Sequence, residues 1–435
     1  IAQQIVAAIG ATLSTAERQG LTAVPTANAE AYQLYLQSRE YALRPGYLRK
    51  NLEIAQELCQ RALTLDPEFA LAHATLAEIH GGMYWARYDR SRTRALRMWE
   101  EAETAVRLAP DLPQAHVALG LAHYWDRSDY RRALEVFVIA LKQAPNNAFF
   151  WMVIGNARRR LGNWNEAITA YNKAMQLNPR DANLIHDGSG GTYAAMHRYG
   201  EAVTEYDRAL RLAPDLYAAA KDRGWAYVRW LGRLDTVRAL YRRLPQDREN
   251  SGIGYSVTEL CESLFWQRQA DSLLQVLEAT RSDYYERQEL YLRFLYAAWA
   301  YEMRGDRVMA AKEFKTALTL LDSTLRELPE EYHLHAARGL TLAGLGRRDE
   351  ALTEAHWLQQ SNIYSEDALL GPNLAEYRAQ ILAQVGEVSA ALEEIEGLLT
   401  RPSQMTVHTL ELNPLWNPIR DDPRFKEVLR KYARH

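Results

Sequence analysis

Apolar residues along the chain recur at three- and four-residue spacing, and no stretch shows the strict alternation of a half-buried strand, so helices are expected throughout. The helical stretches come in twos, divided by a glycine. "YRAQILAQVGEVSAALEEI" breaks at Gly386 and "AARGLTLAGLGRRDEAL" at Gly346. Proline then closes each pair. "RALTLDPEFA", "TAVRLAPDLPQA", "IALKQAPNNA", "KAMQLNPRDA" and "RALRLAPDLYA" are variants of one phrase, with prolines at Pro67, Pro110, Pro145, Pro179 and Pro214. Their separations are 43, 35, 34 and 35 residues, so one unit of about 34 residues repeats along the chain.

The clearest unit spans 148–181. Gly155, Ala167 and Ala174 are small where helices must approach, while Trp151 and Tyr171 fill the space this leaves. Gly162 marks the turn beside Trp164, Ile154 belongs to the first helix, and Pro179 stops the second. Neighbouring units keep Gly120, Ala133, Phe137 and Ala140, then Gly190, Tyr193, Ala202, Tyr206 and Ala209. The first unit has Cys59 in place of the aromatic, and the unit opening at Gly224 and Tyr227 has Thr236 in place of alanine. In period and wording the chain resembles the tetratricopeptide repeat (TPR) family. That resemblance implies an all-α, right-handed superhelical solenoid of about nine or ten helix pairs, stabilised by neighbour-to-neighbour interfaces.

Beyond about residue 245 the period loosens, although Tyr301, Gly305, Ala310, Phe314 and Ala317 still fit, as do Gly339, Ala351 and Ala391. Residues 252–280 read as a helix pair without the motif. The expected division is a helix at 1–14, a linker at 15–27, regular repeats at 28–245, divergent repeats at 246–400 and a capping segment at 401–435. "IAQQIVAAIGATLS", "VPTANAEAYQLYLQSREY" and "LNPLWNPIRDDPRF" resemble parts of the TolB-like/TPR region of bacterial signalling proteins. There such a region follows a cyclase, a kinase or a CadC-like regulator. The resemblance implies a piece of a longer, membrane-tethered bacterial parent, cytoplasmic or periplasmic, with residues 1–14 left from a preceding domain. A start at Ile1 agrees with a fragment.

Composition removes several alternatives. With 48% apolar and 25% charged residues, the chain is not a disordered tail. No apolar run reaches membrane-spanning length, so direct membrane insertion is not expected. A net charge of −3 argues against nucleic acid as the partner. Cys59 and Cys261 are too few for a disulfide framework. No zinc, calcium or phosphate-loop motif occurs, so no metal, cofactor or catalytic residue is expected. "HDGSGGTY" at 186–193 looks like a protease nucleophile loop in Asp187, Ser189, Gly190 and Gly191, yet nothing supplies a base and an orienting acid. Close helix packing at Gly190 is the expected use. His73 and His80, like His116 and His123, are seven apart on one helix face, at positions the repeat uses for packing. The arginines of 86–97 (Arg87, Arg90, Arg92, Arg94 and Arg97) read as a solvated loop and helix face, with an acidic partner as the other reading.

The family resemblance implies that first helices line a concave groove. It places groove contacts at Tyr124 and Trp125, at Met152, Asn156, Arg159 and Arg160, and at Lys221, Trp225 and Arg229. Aromatic and arginine side chains are the usual interface anchors. Asn156 and Arg160 resemble part of a carboxylate clamp, but Met152 and Gly188 stand where the clamp needs lysine and asparagine. The expected function is a non-catalytic interaction scaffold that binds a peptide or partner domain, with homodimerisation open. The alternative is a small-molecule-sensing solenoid that controls an attached effector.

Overall fold

The computed structural model describes residues 25–44, 48–241, 254–280 and 290–433. The expected helix at 1–14 and most of the linker lie outside them. Among the described residues all regular structure is helical. The chain divides into two compact units, 1–188 and 189–435, within the π-helical stretch Leu184–Gly190.

Among the described residues, unit 1 holds four antiparallel pairs. These are α1 (Ala29–Ala42) with α2 (Arg49–Leu65), α3 (Ala70–Trp85) with α4 (Arg92–Leu108), α5 (Pro113–Trp125) with α6 (Tyr130–Gln143), and α7 (Ala148–Arg160) with α8 (Trp164–Leu177). Unit 2 begins with the end of the π-helical stretch and α9 (Gly191–Ala195), paired with α10 (Tyr199–Leu212). Then come α11 (Tyr217–Leu231) with α12 (Asp235–Tyr241), α13 (Gly254–Trp266) with α14 (Ala270–Ala279), and α15 (Leu290–Met303) with α16 (Arg307–Glu327). The pair α17 (Tyr332–Gly344) and α18 (Arg348–Gln360) precedes a short α19 (Asn362–Glu366), and α20 (Gly371–Gln384) pairs with α21 (Val388–Leu399). The motif-free stretch thus forms the expected pair, α13–α14. The last elements are α22 (Val407–Leu412), a 3-10 turn at Pro414–Ile419 and α23 (Pro423–Tyr432).

Glycine and an aromatic ring set the spacing inside a pair. A Cβ on Gly120 would overlap the Phe137 ring, and one on Gly155 would lie 2.5 Å from Tyr171. Phe137 and Tyr171 are fully buried. In most pairs the first helix ends on a left-handed residue, near which an amide returns to the carbonyl of the fifth residue back. Asn163 N donates to Arg158 O at 2.9 Å and Tyr88 N to Met83 O at 3.0 Å. Gly162, Gly232, Gly305, Gly346 and Gly386 take this conformation, with φ between 68° and 83°. Arg87, Ser128, His197 and Arg268 take it without being glycine, at φ between 51° and 63°.

A second lock ties the start of a first helix to the preceding proline. His73 Nε2, His116 Nε2, Trp151 Nε1 and His335 Nε2 each lie 2.7–3.0 Å from the proline carbonyl six residues earlier. His73 and His116, expected merely to pack, therefore also close the inter-repeat turn.

In unit 2 the C-terminal segment comes back to the first helices of that unit. Ser403 N donates to Ala195 O at 2.9 Å, and His197 Nε2 lies 3.0 Å from Ser403 O. His408 packs on Gly232, and Gln384 donates to Leu415 O at 2.6 Å. Trp416 and Phe425 are fully buried with residues of α20 and α21.

Glycine substitutions separate close approach from ordinary helix propensity. Gly155→Ala is expected to lower stability by about 1–3 kcal/mol, because Tyr171 must move. Gly397→Ala, in exposed helix with nothing within 4 Å, is expected to raise it by about 0.8–1 kcal/mol. Denaturant titration of both variants measures the contrast.

Candidate functional site

Tyr124 and Trp125 end α5, and Met152, Asn156, Arg159 and Arg160 share one side of α7, one and two turns apart. Unit 1 brings most of them together. Arg160 Nε donates to Tyr124 Oη at 3.0 Å, and its guanidinium lies 5.6 Å from the centres of both the Tyr124 and Tyr130 rings. Tyr124 is itself buried edge-on against Tyr130. Asn156 Oδ1 accepts from Tyr171 Oη at 2.8 Å. Tyr171 thus has two roles: its ring spaces the pair and its hydroxyl orients Asn156. Met152 is half-buried against the α5–α8 cluster. Trp125 is half-buried with Met98 and covers the bare backbone of Gly81.

Arg159 is only 5% exposed. It donates Nη1 to Asp187 O at 2.6 Å and faces Asp187 Oδ2 at 3.3 Å. The nearby carboxylate pushes its pKa up against the cost of burial. The "HDGSG" stretch therefore lies in a π-helix, Leu184–Gly190, whose backbone is held by an arginine of the preceding pair. Gly188 lies on Tyr171, where a Cβ would come within 3.0 Å of the ring. The α-helical entry expected there is replaced by the wider turn.

In unit 2, Lys221, Trp225 and Arg229 lie one turn apart on α11. Trp225 is buried edge-on against Trp266, with ring centres 5.1 Å apart. Lys221 Nζ sits 3.3 Å from both Asp222 and Glu259 carboxylates, and Tyr217 Oη donates to Glu259 at 3.0 Å. Its pKa is raised by those carboxylates despite burial. Arg229 lies over Trp225 and binds Gln404 of the C-terminal segment.

Sequence reasoning missed the carboxylates facing these cations. Burial pushes Glu262 up to about 7, opposed by Arg229 and Lys221 and reinforced by Glu259 and Glu376. Burial likewise pushes Glu376 up to about 7, with Arg229 opposing. Glu259 and Glu262 are spaced for one helix face, but they lie in the stretch without a repeat register. Among the described residues no group of three or more histidine, cysteine or acidic side chains is placed to hold a metal ion. No helix among them is long and apolar enough to cross a membrane.

Residues 123–182, from the end of α5 through α8, match the tetratricopeptide repeat family. That stretch carries tetratricopeptide repeats. No curated protein matches it in sequence. Among solved structures, TTC0263, a thermophilic TPR protein of Thermus thermophilus, is 21% identical with a TM-score of 0.39; the match covers 46% of this chain and all of that one. A human IFIT1 dimer with PPP-AAAA is 17% identical with a TM-score of 0.46, covering 74% and 71% of the two chains. YrrB, described as a TPR protein with an unusual peptide-binding site, is 18% identical with a TM-score of 0.29, covering 47% and 96%. All three likenesses are of fold.

Two predictions test the repeats' charged interior. Arg159→Ala removes the donor to a backbone carbonyl inside the π-helix and is expected to cost about 2 kcal/mol in a denaturant melt. Glu262 retains its proton in the folded chain between its ordinary 4.5 and about 7, whereas the unfolded chain releases it. Stability from this group is therefore full below pH 4.5 and lost as pH rises through 7. Glu262→Gln is expected to raise the melting temperature at about pH 8 and leave it nearly unchanged at about pH 4.5.

Proposed function

We propose that the chain is a non-catalytic protein-interaction scaffold, in which the first-helix wall of unit 1 binds a peptide or partner domain. The observation that carries this reading is the stripe Met152, Asn156 and Arg160. Tyr171 and Tyr124 hold its two polar heads from beneath. Asn156 gives its oxygen to Tyr171, while its amide NH2 has no partner among the described residues. Oriented amide and guanidinium donors beside a thioether suit the backbone and carboxylate groups of an extended peptide. Trp125 adds aromatic area at the edge. Arg159 supports the wall from within, since its two Nη groups are engaged by Asp187. The terminal phrases suit a bacterial signalling parent of the TolB-like/TPR kind, in which this scaffold serves an attached effector.

A second reading belongs to unit 2. Lys221, Trp225 and Arg229 there face Glu259, Glu262 and Glu376, and the unit's own C-terminal segment lies against α11. Converging groups of both signs suit a small charged metabolite better than a peptide. Thermal-shift screening in which no charged metabolite stabilises the chain would remove it.

For the scaffold, the test is affinity capture on the full chain followed by mass spectrometry. Asn156→Ala with Arg160→Ala is expected to lose the partners that the unsubstituted chain captures, while its melting temperature stays within a few degrees. Retention of every partner would overturn the reading.

A further inference from the structure

We propose that the first-helix wall of unit 2, where α11, α13 and α20 meet, binds a small organic amine, with its ammonium group between the carboxylates of Glu262 and Glu376. The inference rests on the small-molecule reading of unit 2 and names the chemistry of its ligand.

Three helices and the C-terminal segment stand around this part of the wall. Lys221, Trp225 and Arg229 share one side of α11, Glu259 and Glu262 one side of α13, and Glu376 and Gln380 one side of α20. Lys221 reaches Glu259, and Trp225 meets Trp266, which joins α11 to α13. Arg229 binds Gln404, and Gln384 donates to Leu415 O, so the segment after α21 spans from α11 to α20.

The charged heads at the centre do not touch one another. Glu262 has neither a hydrogen bond nor an ion pair among the described residues. Arg229 acts on both Glu262 and Glu376 through its field, yet lies beyond ion-pair distance of each. Both glutamates are half-buried rather than sealed off, and burial still pushes each up to about 7. An accessible carboxylate that has lost most of its water favours a positive group beside it.

Gln380 is an independent indication of what that group is. Its side chain is buried, with 4% of the residue exposed. Nε2 donates to Glu376 Oε1 at 3.2 Å, and the carbonyl oxygen has no partner among the described residues. A buried acceptor without a donor is costly. The unengaged atoms here are thus acceptors: both oxygens of Glu262, the second oxygen of Glu376 and the Gln380 carbonyl. An ammonium group brings three N–H donors and a single positive charge.

The neighbouring charges leave this balance intact. Lys221 is spent between Asp222 and Glu259 and adds no free positive charge. His408 of the C-terminal segment packs on Gly232 and faces Glu411 at 3.6 Å. From α15 come rings, Tyr296 and Trp299, which pack on Phe265. What remains is Arg229 against Glu262 and Glu376, and one ammonium brings that set to neutrality. A zwitterion would leave it negative, and an anion more so. A metal ion fits less well, because among the described residues no three acidic, histidine or cysteine groups are placed to hold one.

The test is isothermal titration calorimetry of the full chain with n-butylamine, benzylamine and phenethylamine, and with butyrate and 4-aminobutyrate for comparison. Saturable binding of an amine is expected. At about pH 7 it releases roughly one proton, read from heats in buffers of different ionisation enthalpy. Affinity is expected to rise at least tenfold from about pH 6 to about pH 8, because Glu262 and Glu376 lose their protons while the amine keeps its own. Binding is expected to weaken at least tenfold in Glu262→Gln and in Glu376→Gln, and to stay unchanged in Glu393→Gln, an exposed position of α21. Thermal melts confirm that each variant is folded. No saturable binding by any of the three amines, no proton release, equal binding by Glu262→Gln, or tighter binding of butyrate or 4-aminobutyrate would each overturn the proposal. If butyrate binds where no amine does, the small-molecule reading of unit 2 stands and the amine does not. If neither binds and no charged metabolite stabilises the chain, both fall.

Discussion

The separation of the two helices in a pair is set by an aromatic ring lying on backbone that carries no side chain. In the α5–α6 and α7–α8 pairs the ring comes from the second helix, Phe137 or Tyr171, and the bare backbone from Gly120 or Gly155. Ring against backbone brings the axes closer than two side chains could while leaving no void. The same contact fixes where the far side of the first helix lies. Tyr171 shows the connection in one residue, because its ring spaces the pair and its hydroxyl orients Asn156 on the wall. Between pairs, bare backbone is covered in the same way: by Trp125 at Gly81, by Phe314 of α16 at Gly344 of α17, and by the aliphatic Ile381 of α20 at Gly339. The spacing rule persists in the divergent half although the wording of the repeat does not.

Two backbone locks then carry the geometry from one pair to the next. The left-handed turn fixes the angle within a pair, and the ring nitrogen on the proline carbonyl fixes the angle between pairs. In the second lock histidine and tryptophan are equivalent, because each presents an N–H at the same reach. His73 goes one step further, with Nδ1 at 2.5 Å from Glu101 and Nε2 on Pro67 O. Both nitrogens face acceptors, which favours the doubly protonated ring and raises its pKa against the pull of burial. His80, one face-repeat along, has the opposite setting. It is buried with Nδ1 toward the Arg94 guanidinium, and its pKa falls to about 3.

The helices, their pairing and the Gly155–Tyr171 contact are legible in the sequence because they follow from a period and from residue size. Thr236 reads there as a departure from the repeat. In the fold its hydroxyl bonds to the Gly224 carbonyl at 3.1 Å, so a polar contact does what a small side chain does elsewhere. The π-helix at 184–190 is not legible, since its register depends on Arg159 reaching a carbonyl 28 residues away. Nor is the return of Ser403 to Ala195, which joins positions more than two hundred residues apart and has no local signature. Of the groove positions, the polarity is readable and the burial is not. Tyr124, Arg159 and Trp225 have the composition of interface anchors, yet they are spent on neighbours within their own units.

What an arginine can offer a partner depends on what it already holds, and this chain sorts its arginines by depth. Arg159 is buried and bonded to a backbone carbonyl as well as to a carboxylate, so a partner's carboxylate would have to displace contacts that keep a helix in register. Such an exchange gains little, because a buried donor left unmatched costs as much as the new bond returns. Arg160 is intermediate: Tyr124 Oη takes one N–H and leaves the guanidinium oriented over two rings. At the turn edge of unit 1, Arg92 is held by a 3.5 Å ion pair with Asp126 that engages one Nη group, and Arg127 lies on the Trp99 ring face. The contacts that an incoming acidic group would have to displace therefore weaken from the interior of the wall toward its turn edge. The same gradient explains why depth, which sequence alone does not give, decides which of many similar residues are structural and which are left for a partner.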